Sequence, residues 1–160
     1  MAVNAYLVID DRPGPSTSRK DAIDVLSFTF GGSQSSVVGS GSSGSETRSG
    51  RADIKNLKVI KVLDKTSPLL WDDMTTGNIL TKAVLYYDKP MGDNQEDYFK
   101  IELDEVVITN IDHSGSSENP LEAVSMAFSK AKFCYNPEDG NGKLAGWVEK
   151  GYDLHTLKPF

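Results

Sequence analysis

IDVLSFTFG at 23–31 and NLKVIKVLDK at 56–65 are alternating stretches separated by GGSQSSVVGSGSSGSETRSG at 31–50, and the way they join decides the fold. In the first stretch Leu26, Phe28 and Phe30 share one face, while Val25, Ser27 and Thr29 share the other. Aromatic side chains opposite small polar ones mean a strand with a core face and a wet face. In the second stretch Leu57, Val59, Lys61 and Leu63 alternate with Lys58, Ile60 and Val62, so apolar residues occupy both faces. Between them, 14 of the 20 residues at 31–50 are Gly or Ser, a composition that cannot bury enough apolar surface to fold alone. The tract reads as a loop, and one this long within a compact domain reads as a functional arm.

Outward from that pair, period 2 dominates. Ala5, Leu7 and Ile9 mark a first strand that ends in the turn formers DDRPGPSTS at 10–18. After the 56–65 strand, Ser67 as N-cap, Pro68 at the first helical position and Gly77 as stop predict one short helix. Leu70, Trp71 and Met74 would pack on the sheet, with Asp72 and Asp73 in water. ILTKAVLYYDKP (79–90), DYFKIELDEVVITNI (97–111), LEAVSMAFSKAKFCYNP (121–137) and GYDLHTL (151–157) complete the strands. Alternation breaks at Glu105-Val106-Val107 and again at Ser129-Lys130, where the apolar face passes to Ala131, Phe133 and Tyr135. Both breaks read as bulges or corners. The expected fold is mainly β: an antiparallel barrel of two packed sheets, about seven strands, with one flanking helix and a long Gly/Ser loop.

At 160 residues the chain fits one domain, 1–160, able to bury roughly 70% of its unfolded surface. Its net charge of −6, from 17 basic and 23 acidic residues, disfavours nucleic acid and anionic membranes as partners. Cys134 is the sole cysteine, so neither an intrachain disulfide nor a cysteine zinc site is available. The beginning, MAVNAYLVIDDRPG, has neither a basic segment nor an apolar run long enough for a signal peptide, which predicts synthesis and folding in the cytoplasm.

No candidate chemistry holds up. Gly39, Gly41 and Gly44 spell GxGxxG, but the motif requires a tight strand-to-helix junction and here a strand follows. His113 and His155 have no second His or Cys at ligand spacing, which argues against a metal. Asp93, Glu96 and Asp97 lie in turn-like sequence and read as solvated charge. Cys134 between Lys132-Phe133 and Tyr135 reads as a structural thiol. The chain reads as a binding or assembly module without catalytic residues or cofactor.

Taken in order, IDVLSFTFGGSQS (23–35), the Gly-rich tract, NLKVIKVLDKTSP (56–68), GDNQEDYFKIELDEV (92–106) and GYDLHTLKP (151–159) resemble the Hcp family, haemolysin-coregulated proteins of the type VI secretion tube. The resemblance covers nearly the whole chain and extends to phage tail-tube proteins. It implies a β-barrel assembled into hexameric rings that stack into an inner tube, and a chain that carries, or is exported with, small effector proteins. Implied partners are further copies of itself, a tube-tip spike protein, sheath and baseplate components, and lumen effectors, with export needing no cleavable signal. On that reading Ser27 and Thr29 face the lumen, and Val37, Val38, Ser42, Ser43, Glu46, Arg48 and Arg51 belong to an inter-ring loop. Two alternatives stand beside it: the tube of an extracellular contractile injection particle, and a monomeric carbohydrate-binding β-sandwich module.

Overall fold

The computed structural model describes residues 4–36, 49–116 and 118–160. Its strands are β1 (Asn4–Ile9), β2 (Ile23–Val25), β3 (Ser27–Thr29), β4 (Gly32–Ser36), β5 (Ser49–Ile54) and β6 (Leu57–Val62), followed by helix α1 (Ser67–Thr76). Then come β7 (Ile79–Met91), β8 (Asn94–Ser114), β9 (Leu121–Ala127), β10 (Lys130–Tyr135), β11 (Val148–Asp153) and β12 (Lys158–Pro159). All pairings are antiparallel. One sheet path runs β12-β11-β10-β8-β7-β1-β2, while β3, β6 and β9 attach to the other half of β8. The expected mainly β fold of two packed sheets with one helix is therefore what the chain forms.

The 23–31 stretch is not one strand. β2 pairs with β1 and β3 pairs with β6, and the ladder changes hands at Leu26, whose amide donates to the Ile60 carbonyl. That extra residue shifts the alternation by one. Ile23 and Val25 point into the core before it, and Phe28 and Phe30 pack against the core after it. Leu26, expected in the core, is 60% exposed.

β8 explains how two sheets share one strand. Residues 99–104 pair with β10 and residues 107–114 pair with β9, and between them Glu105 takes φ 52°. A left-handed residue that is not glycine bends the strand, as the phase break at Glu105-Val106-Val107 predicts. The second break also holds: β9 ends and β10 begins around Ser129, whose amide donates to the Asp104 carbonyl. The core between the sheets is built from Leu7, Ile23, Leu57, Leu85, Ile101, Leu103 and Met126, all but inaccessible to solvent.

Two further expectations need correction. The 31–50 tract is not structureless throughout, since β4 and β5 form a hairpin ladder from Gly32↔Ile54 to Ser36↔Ser49. Helix α1 starts one residue earlier than expected, with Thr66 as N-cap and Ser67 inside the first turn. Gly77 ends it in the left-handed conformation that relieves the last carbonyls. The inward stripe is Thr66, Ser67, Leu70 and Asp73, with Met74 partly buried; Trp71, expected on the sheet, lies about 100° round from Leu70 and is 48% exposed.

Candidate assembly surfaces

The outer face of the β3-β6-β9-β8 sheet carries small and polar side chains in cross-strand rows. One row is Thr29, Lys58, Ser125 and Asn110; the next is Ser27, Ile60, Ala123 and Asp112. Ser27 and Thr29 are exposed there. Their row partners escape a sequence reading because register is fixed only once strands pair. Val37, Val38, Ser42, Ser43, Glu46 and Arg48 lie outside the described residues. Arg51 belongs to β5, the returning arm of the hairpin whose innermost described pair is Ser36↔Ser49.

The inner face of the same sheet ends in a charged row. Lys61 on β6, Glu122 on β9 and His113 on β8 stand directly opposite one another. Lys61 and Glu122 are completely buried. The Lys61 Nζ lies 3.4 Å from Glu122 Oε1 and 3.3 Å from Asp64 Oδ1, and donates to Ser67 Oγ at 3.2 Å. Glu122 Oε2 meets His113 Nε2 at 3.1 Å, and the His113 ring stacks at 5.8 Å on exposed Trp71. Above this row Leu63, Ser67, Pro68, Trp71 and His113 line an apolar groove of about 440 Å³. Lys61 sits in sequence with Leu57 and Val59, and Glu122 with Val124 and Met126. A charge in phase with core residues was the available signal for a buried pair.

At the other end of β8 the wing formed by β10 and β11 presents a second apolar surface. Phe133, Tyr135 and Val148 share one face and are 48%, 44% and 61% exposed. Phe133 and Tyr135 are thus not core residues, because the wing extends past the opposing sheet and only Ala131 is covered. Phe133 still anchors to the interior through Phe99 at 5.0 Å, in an aromatic chain with Phe28 and Tyr87. The opposite wing face holds Lys132 between Glu102 and Glu149, with Cys134 buried beside them. Burial raises the Cys134 thiol pKa, and the Glu149 and Glu102 carboxylates add to that rise.

Two further clusters of titratable groups are tied down structurally. Asp73, expected in solvent, is buried and accepts two hydrogen bonds from the Arg12 guanidinium at 2.7 and 2.8 Å and one from Asn78. Burial pushes its carboxyl up, but those bonds outweigh it and hold the pKa below the ordinary value. Arg19 pairs with Asp97 and lies over the rings of Tyr86 and Tyr6, pinning the 10–22 loop to the sheet. Among the described residues no group of His, Cys, Asp and Glu is placed to hold a metal, and no helix is long and apolar enough to cross a membrane.

This arrangement offers surfaces rather than a reaction centre, and comparison with known proteins agrees. The family model described as type VI secretion system effector, Hcp, matches residues 6–135. The chain belongs to the Hcp family. Protein hcp1 of Pseudomonas aeruginosa is 31% identical over 159 residues, covering 96% of each chain. Among solved structures, a type six secretion system protein superposes with a TM-score of 0.87 at 27% identity, covering 99% of this chain and all of that one. Hcp1 from Salmonella typhimurium superposes with a TM-score of 0.79, also at 27% identity and over the whole of both chains. Membership in the Hcp family places the chain among structural secretion proteins rather than enzymes.

Proposed function

We propose that the chain is the structural subunit of a type VI secretion inner tube, six copies closing into a ring and rings stacking end to end. The observation that carries this reading is the pair of unlike apolar surfaces at opposite ends of β8, the Trp71 groove and the Phe133 wing. Unlike surfaces on one chain join head to tail, and such contacts close into rings when the rotation allows. Ser27 and Thr29, with Ser125, Asn110, Ala123 and Asp112 further along their rows, face the lumen and let small effector proteins pass without strong attachment. The tract around 37–48, with Arg51 at its base, reaches the neighbouring ring. Six copies at −6 carry −36, which disfavours nucleic acid as cargo. The remaining partners are a tip spike, sheath and baseplate components, and the protein is exported by the machinery it helps to build.

The arm is tested by replacing residues 37–48 with Asn-Gly, which closes a two-residue hairpin after Ser36. Rings that persist while stacks disappear in electron micrographs support it. Stacks of wild-type length would overturn the inter-ring role.

A further inference from the structure

We propose that the ring contact, if the chain closes into rings as argued above, seats the β10–β11 wing of one copy in the α1 groove of the next. The groove, of about 440 Å³, is shallow, open and mostly apolar, lined by Leu63, Pro68, Trp71 and His113. The wing is its counterpart, three proud apolar side chains on a rigid ladder, Phe133, Tyr135 and Val148. Exposed aromatic residues clustered this way are the usual anchors of protein contacts.

Charge selects the occupant. Lys150 stands directly opposite Phe133 on the wing face, exposed and without a salt bridge among the described residues. Asp72 stands beside Trp71 on α1, likewise exposed and without a salt bridge among the described residues. Within its own chain Asp72 feels the more distant Arg12 charge; a second copy brings Lys150 against it as its wing fills the groove, and such complementarity fixes register. Separation matters too. Phe99, under the wing, and His113, in the groove, sit toward opposite ends of the single strand β8, so a copy cannot fill its own groove. The groove floor is anchored by buried Lys61, which reaches Glu122, Asp64 and the Ser67 hydroxyl in the first turn of α1, while Glu122 meets His113.

The test uses the full chain with two surface variants, Trp71→Glu in the groove and Val148→Glu on the wing, each checked for an unchanged melting transition. Light scattering on purified protein is expected to show rings for the wild type and monomers for each variant at tenfold higher concentration. An equimolar mixture of the two variants retains one intact groove and one intact wing and is expected to give one-to-one dimers that grow no further. Asp72→Lys and Lys150→Asp each weaken the ring, and the double variant restores it. Variants that keep the wild-type ring, or a mixture that stays monomeric, overturn this pairing while leaving ring formation standing. A monomeric wild type strikes at the ring itself.

Discussion

The Lys61 ammonium lies 3.4 Å from the Glu122 carboxylate, and neither residue has any solvent exposure. Glu122 Oε1 is at ion-pair distance but is not aligned for a hydrogen bond, and it has no other partner. Burying two charges costs several kcal/mol each, repaid only while both are present. Lys61→Met is therefore expected to destabilise the fold by about 3 to 5 kcal/mol, since it leaves the buried Glu122 Oε1 without its cation. The double variant Lys61→Met with Glu122→Leu is expected to recover most of that loss. Chemical denaturation of the wild type and the two variants measures it, and equal losses in the single and double variants would show that removing Glu122 relieves nothing.

Asp73 gives a pH dependence with a defined sign. Its folded pKa lies below the ordinary value because Arg12 and Asn78 favour the carboxylate over the burial that opposes it. The resulting stability is present above the unfolded value of about 3.9 and fades as pH falls through the folded value. Asp73→Asn is expected to cost about 2 kcal/mol at pH 7, as hydrogen bonds between charged groups do. The difference between wild type and variant should shrink below about pH 4. A constant difference across that window would contradict the assignment.

Cys134 should resist thiol reagents while the protein is folded. It is fully buried and its pKa is raised, so thiolate is scarce and inaccessible. The expected labelling is slow in buffer and rapid in denaturant; rapid labelling of the native protein would contradict the placement of β10.

The change of ladder at Leu26 is tested by a pair of truncations. Leu26→Ala, at an exposed position, is expected to change stability by no more than about 0.5 kcal/mol. Phe28→Ala removes a ring packed on Tyr87 and Phe99 and is expected to cost about 3 kcal/mol. Similar losses at both sites would restore the unbroken strand.

Much of this architecture is legible in the residues themselves. Alternation finds the strand-rich fold, and the breaks at Glu105 and Ser129 mark the corners where β8 changes partners. What alternation cannot carry is pairing. Leu26 follows the local pattern of Phe28 and Phe30, yet the switch from β1 to β6 turns it outward. Trp71 and Asp73 trade their expected places because Arg12, distant in sequence, reaches Asp73 and makes its burial affordable. Phe133 and Tyr135 have core chemistry, and only the extent of the opposing sheet leaves them open. Lys61 and Glu122 were visible as charges in apolar rows, but their mutual contact depends on the β6–β9 register.

Ring formation is tested most directly by native mass spectrometry of the purified chain, paired with negative-stain images. The account predicts a species of about 104 kDa, six times the 17.4 kDa chain, appearing as six-fold rings. A protein that remains at 17.4 kDa at high concentration would contradict it.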